Sequence, residues 1–129
     1  MARLLLDTHA LLWWLDGDRR LSPRAREAIT AESSQVVVSA ASAWELTTKH
    51  RLGKLPAAAD VARDVAGCLL AQGFGELPVT VGDAERAGRL PGPHADPFDR
   101  MLIAQALGGD LELISNETAF DAYGVRRLW

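Results

Sequence analysis

Leu4-Leu5-Leu6-Asp7-Thr8-His9-Ala10-Leu11-Leu12-Trp13 is the stretch whose reading decides how this chain folds. A strand points successive side chains to opposite faces, so three leucines in a row suit a strand covered on both sides, as in a parallel sheet. Asp7 closes that apolar run. Thr8 to Leu15 then reads as a helix, ended by Asp16-Gly17-Asp18. A carboxylate at the edge of a buried element costs several kcal/mol (roughly) unless it is paired or bound to a cation. Asp7 is therefore both a boundary and a question.

The same alternation continues along the chain. Ser22-Pro23 supplies an N-cap and a proline at the first helical position, opening a helix to about Ala31. Val36-Val37-Val38 reads as a second strand. Ser42 to Arg51 reads as a helix with Gly53 placed for its C-terminal cap, and Ala57 to Gln72 as one further helix with Val61, Val65, Leu69 and Leu70 on one face. Phe74 to Val79 is a weaker strand. Thr80 with Asp83 forms a capping-box pattern for a helix ending near Leu90. Pro97 opens a helix that Gly108-Gly109 stops, and Leu111–Ile114 and Val125–Trp129 are the last two strands. Strands alternating with helices predict a three-layer α/β/α domain with a mostly parallel central sheet of four to five strands. With no repeat, linker or low-complexity tract, residues 1–129 form a single domain.

Composition narrows the function classes. The chain has 129 residues, 48% of them hydrophobic, enough for a real core. A formal charge of −3 excludes a general polyanion-binding surface, so contact with nucleic acid requires a local basic patch or a bound cation. Cys68 is the only cysteine, which rules out an intrachain disulfide and a cysteine-based zinc site. The start Met1-Ala2-Arg3 leads directly into a strand, and no apolar run approaches membrane-spanning length. A soluble cytoplasmic domain is expected.

Acids recur at element boundaries. Glu45 lies inside Ser39-Ala40-Ala41-Ser42-Ala43-Trp44-Glu45-Leu46, and Asp96 and Asp99 bracket Pro97-Phe98 just before Met101-Leu102-Ile103. No Lys or Arg stands beside Asp7 or Glu45 on the apolar side, so a shared cation is the simplest account of these acids. Carboxylates without His or Cys favour Mg²⁺ or Mn²⁺ over zinc. Asp7, Glu45 and Asp99 are the candidate ligands and catalytic residues. Asp96 is a helix cap or outer acid, and Thr8, Ser39, Ser115 and Asn116 are candidates to orient ligands or waters. Lys49, Arg51 and Lys54 form the densest basic cluster; Lys49, Lys54 and Arg100 are the candidate phosphate contacts.

These residues carry a family resemblance. The runs Leu4–Trp13, Ser39–Leu46 with Lys49-His50-Arg51-Leu52-Gly53-Lys54-Leu55, and His94-Ala95-Asp96-Pro97-Phe98-Asp99-Arg100-Met101-Leu102-Ile103-Ala104-Gln105-Ala106 resemble PIN-domain ribonucleases, specifically VapC-type toxins of bacterial toxin–antitoxin pairs. The ending Phe120–Val125 with Leu128-Trp129 is similar to the same subgroup. The resemblance implies a PIN-like fold and metal-dependent cleavage of RNA. It places the family's first three acids on Asp7, Glu45 and Asp99, and implies a small antitoxin partner and a homodimer. Where many PIN domains carry a fourth acid after the fourth strand, this chain has Asn116.

Plainer readings stand beside these. Asp7 can simply cap the helix that follows it, and Glu45 can pair with Lys49 at i,i+4. His9, His50 and His94 lack metal-type spacing and read as surface or packing residues. Trp13, Trp14 and Trp44 read as core or interface aromatics. The first helix is apolar nearly all round, which predicts a second covered face. The functional alternative is a catalytically weak PIN-fold binding module that acts through a protein partner.

Overall fold

The computed structural model describes residues 2–129; Met1 lies outside it. Five strands form one sheet: β1 (Arg3–Leu6), β2 (Gln35–Ser39), β3 (Gly75–Leu77), β4 (Glu112–Ile114) and β5 (Arg127–Leu128). Their order is β3-β2-β1-β4-β5. Every pairing is parallel, with Leu5 opposite Val37 on one side and Leu113 on the other. The expectation of four to five mostly parallel strands is met by five wholly parallel ones.

Among the described residues seven α-helices lie between them, α1 (Thr8–Asp16), α2 (Pro23–Thr30), α3 (Ala40–Arg51), α4 (Ala59–Arg63), α5 (Val65–Gln72), α6 (Val81–Arg89) and α7 (Pro97–Gly109), with 3₁₀ turns at Pro56–Ala58 and Thr118–Tyr123. Pleating sorts the leucines of β1. Leu4 and Leu6 join Ala10, Leu11, Ala25, Ile29, Val36, Val38 and Leu69 in a core beneath α1, α2 and α5. Leu5 faces the opposite side, with Val37, Leu102, Ile103, Leu113 and Phe120 beneath α7. All three leucines are fully buried, the signature of a strand with helices on both faces.

Several boundaries differ from the sequence reading for local reasons. The single helix expected over 57–72 is broken at Asp64, whose backbone leaves the helical region (φ −159°, ψ 77°) and whose carboxylate accepts from Gly67 N at 2.9 Å to start α5. Helix α3 starts at Ala40, not Ser42, because Ser39 Oγ caps it by accepting from Ala41 N at 3.0 Å. Helix α7 runs through Gly108 and Gly109 and stops at Asp110, which takes the left-handed conformation at φ 53°. The Thr80–Asp83 capping box forms with both reciprocal bonds. The second apolar face of α1 is covered by the chain itself: Trp13 packs on Trp129, Trp14 packs on Phe74, and the guanidinium groups of Arg20 and Arg26 lie over the two indoles.

Strands β2 and β3 lie to one side of β1, and β4 and β5 to the other. Connections leaving the carboxyl ends of β1 and β4 therefore diverge, and a crevice opens between them. Asp7 N donates to Ile114 O at 3.1 Å across that point. Replacing Leu5 by alanine removes a side chain buried in the central strand and should lower the unfolding free energy by ~3 kcal/mol. Leu70→Ala, at a site 81% exposed, should stay within about 0.5 kcal/mol. Urea unfolding of the two variants measures the contrast.

Candidate metal centre

Four elements deliver side chains to the crevice. Asp7 ends β1 and caps α1, its Oδ1 accepting from Ala10 N at 2.8 Å. Thr8 follows it and donates Oγ1 to Glu45 Oε1 at 2.6 Å. Glu45 comes from the second turn of α3 and is buried. Asp99 lies in the first turn of α7, which runs back toward the start of β4 and so begins at the carboxyl edge of the sheet. Ser115 directly follows β4, fully buried, and its hydroxyl faces Asp7.

The capping and metal readings of Asp7 are compatible, since capping occupies Oδ1 alone. Burial is the main influence on its carboxyl, raising its pKa to about 6 against the bonds from Ser115 and Ala10; the charge of Asp99 adds to the rise. Burial also raises Asp99, helped by the charges of Asp96 and Glu45 and opposed by His94. The acids from three separate segments therefore act on one another. Among these groups the positive charge is too small for the negative.

Glu45 corrects one sequence argument. It does have a cation: Lys49, one turn on, bonds its Oε2. The pairing is the i,i+4 one, yet it is no surface pair, because the Glu45 side chain is only 6% exposed. Burial works against the Lys49 charge, but Glu45, with Asp96 and Asp99 behind it, holds its pKa above the usual value.

The remaining candidates divide clearly. Asp96 caps α7, accepting from Asp99 N at 2.9 Å. The Ser39 hydroxyl accepts from Ala41 N and so caps α3, with its own O–H left to donate. Asn116 is exposed, as is Glu117, and Asp121 is taken by Arg127 at 2.8 Å. Lys54 is exposed and free of ion pairs among the described residues. Arg100 is not placed to meet a phosphate. Its guanidinium donates to the carbonyls of Ala87 (3.1 Å), His94 (2.9 Å) and Leu90, which fastens the end of α6 and the following loop to α7.

Two contributors escape sequence reading. His94 Nε2 lies 2.9 Å from Asp99 Oδ2, its backbone N donates to Tyr123 Oη at 3.1 Å, and its ring packs against Phe120. Its position five residues before Asp99, next to a loop, gives no helical spacing that would predict this. Ser42 Oγ, one turn before Glu45, is buried with no hydrogen-bond partner.

Residues 4–125 match the PIN domain family. The chain belongs to that family. No curated protein matches it. Solved structures similar to this PIN domain include VapBC2 from Rickettsia felis bound to a promoter DNA fragment, with 12% identity, TM-score 0.71 and coverage of 98% of this chain and 97% of that one. A toxin–antitoxin complex from Klebsiella pneumoniae has 22% identity and TM-score 0.67, with coverage of 98% and 96%. VapC20 from Mycobacterium tuberculosis, a sarcin–ricin loop cleaving toxin, has 19% identity and TM-score 0.63, with 95% of both chains covered. At these identities the likeness is one of fold.

Among the described residues, no three acidic, histidine or cysteine side chains already stand close enough to hold a metal ion. The donor set nevertheless suits a hard divalent cation. It consists of carboxylate and hydroxyl oxygens, its buried Asp7 is pushed up to about 6, and one turn before Glu45 on α3 the Ser42 hydroxyl is buried without a hydrogen-bond partner.

The Asp7 shift predicts a pH dependence. Folded Asp7 keeps its proton to about pH 6, whereas the unfolded chain releases it near 3.8. The associated stability is complete below the lower value and is lost as pH rises through the higher one. In chelator, Asp7→Asn should therefore gain stability relative to the parent between about pH 4 and pH 7, by roughly 3 kcal/mol if the whole shift is realised. Urea unfolding at both ends reads the difference; an equal offset at each would contradict it.

Proposed function

We propose that this PIN domain is an endoribonuclease that uses Mg²⁺ or Mn²⁺, and that it is the toxin of a toxin–antitoxin pair. Asp7, Glu45 and Asp99 are the proposed ligands and catalytic residues. The observation that carries the reading is the buried acid cluster at the β1–β4 crevice, whose negative charge exceeds its internal positive charge. When bound, the cation would lower the pKa of a water for attack on a phosphodiester and offset the charge that develops on the phosphate oxygens.

The chain's own groups prepare that chemistry. Thr8 fixes Glu45 by donating to Oε1, so one carboxylate oxygen keeps a defined direction. The Ser115 hydroxyl faces Asp7 and favours its charged form. His94 holds Asp99 Oδ2, and Arg100 with Tyr123 holds His94 through its backbone. Lys54 stands exposed beyond the C-terminal end of α3, where it can meet a phosphate of a bound strand without reading bases.

Partners are part of the proposal. The similar VapBC and toxin–antitoxin structures are complexes, and a small antitoxin that covers the acid crevice is the corresponding partner here. Trp44, 66% exposed, meets Phe98 at the mouth of an apolar cleft of about 410 Å³ between α3 and α7. That cleft suits a homodimer contact. No helix among the described residues is long and apolar enough to cross a membrane, and the free Cys68 accords with a reducing cytoplasm.

One observation favours a second reading, a catalytically weak binding module acting through a protein partner: two residues after β4 the chain carries the exposed amide of Asn116. The two readings separate on metal. The nuclease reading expects Mn²⁺ to stabilise the fold, by ~2.7 kcal/mol at a hundred times Kd. It also expects Asp7→Asn and Asp99→Asn each to cut Mg²⁺-dependent RNA cleavage by more than ~100-fold, the upper range for losing a group that merely supports a ligand. Circular dichroism should show an unchanged fold. Full cleavage by either variant sinks the assignment.

A further inference from the structure

Lys49 is the one lysine whose ammonium bonds an acid of the cluster. It bonds Glu45 Oε2, the oxygen that Thr8 leaves free. Its charge also interacts with Asp96 and Asp99 at the start of α7. One ammonium from α3 thus counters acids on two helices. The other i,i+3 and i,i+4 pairs of this chain, Arg63–Asp60 and Arg89–Glu85, join side chains that are more than half exposed on both partners. The Lys49 and Glu45 side chains are 29% and 6% exposed. Lys49 is thus the least exposed cation of these three pairs, and its partner carboxylate is nearly buried.

We propose that Lys49 is the built-in counter-ion of the metal-free site, and that a divalent cation entering among Asp7, Glu45 and Asp99 displaces its ammonium into solvent. The inference rests on the metal-site reading above and adds a competitor to it. Lys49 and the cation need the same Glu45 oxygen, and like charges at that distance repel. A divalent ion carries twice the charge of the ammonium it replaces. The four-carbon stem of Lys49 gives the ammonium freedom to leave, as a planar, multiply anchored guanidinium such as that of Arg100 would not.

Two consequences follow. The apparent metal affinity equals the intrinsic affinity reduced by the fraction of molecules in which Lys49 has withdrawn. The withdrawn ammonium then stands at the rim of the loaded site near Lys54, so a cation becomes available to phosphate only when metal is present.

The test compares Mn²⁺ binding by calorimetry in the full chain, in Lys49→Met and in Asp99→Asn. Removing the competitor should tighten Mn²⁺ binding by at least ~5-fold in Lys49→Met, whereas Asp99→Asn should weaken it. A second readout uses the parent protein, so it holds even if Lys49→Met folds poorly. Lys49 and Lys54 are the only lysines in the sequence, so ¹³Cε-lysine labelling gives two side-chain signals. Mg²⁺ should move the Lys49 signal toward the shift and mobility of Lys54. Equal or weaker Mn²⁺ binding by Lys49→Met, or a Lys49 signal unmoved at Mg²⁺ saturation, overturns the displacement while leaving the metal site standing. No Mn²⁺ binding by either the parent or Lys49→Met overturns the metal reading and this inference together.

Discussion

Carboxylates are strongly hydrated, and this fold withdraws Asp7 and Glu45 from water at the edge of a parallel sheet. Neither can stay there uncompensated. Glu45 answers with Thr8 and Lys49. Asp7 accepts from Ala10 N and forms no salt bridge among the described residues, and burial raises its pKa against the Ser115 hydroxyl, the Ala10 bond and the charge of His9. Asp99, half-buried across the crevice, shares the strain and leans on His94. The electrostatic cost of this arrangement is met elsewhere, by the leucine, valine and isoleucine layers on both faces of the sheet. A scaffold stabilised by burial can hold charges that would otherwise drift apart.

Topology explains why the acids meet at all. Asp7 rides on the central strand. Glu45 is brought in because Ser39 ends β2 and starts α3 without a loop between them. Asp99 arrives because α7 runs antiparallel to the strand it feeds. Behind Asp99 a chain of contacts fixes the approach of the loop: Arg100 binds three carbonyls, Tyr123 receives the His94 amide, and Gly92 lies so close that an added Cβ would sit 2.8 Å from Tyr123 Oη. With φ at 92°, that position suits glycine on both counts.

Much of this was legible from residue pattern, and the failures have identifiable causes. The leucine run of β1 disclosed a strand buried on both faces because pleating leaves no other use for consecutive apolar residues. Ser22-Pro23 and the Thr80–Asp83 pair disclosed helix starts because capping is local chemistry. The break at Asp64 was hidden, since Val61, Val65 and Leu69 keep helical spacing across it and only the cap geometry interrupts the backbone. Arg100 read as a free cation beside the acids because sequence shows charge and not the carbonyls that surround it. Lys49 read first as a phosphate contact, with the Glu45 pair as the plainer alternative, because i,i+4 spacing says nothing of depth. His94 was missed altogether, as its contact with Asp99 depends on how a proline-rich loop folds back. Long-range polar contacts of this kind are set by tertiary geometry, which a single sequence encodes only indirectly.

Asp7, Glu45 and Asp99 are proposed to gather around one divalent cation. Anomalous diffraction from crystals grown with saturating Mn²⁺ addresses it directly. A bound cation should give a peak at the β1–β4 crevice with oxygens of Asp7, Glu45 and Asp99 about 2.1–2.3 Å away, in the range for hard divalent cations, and with Lys49 turned out of the cluster. Saturating Mn²⁺ that leaves the crevice without a peak, with Lys49 still on Glu45, would contradict it.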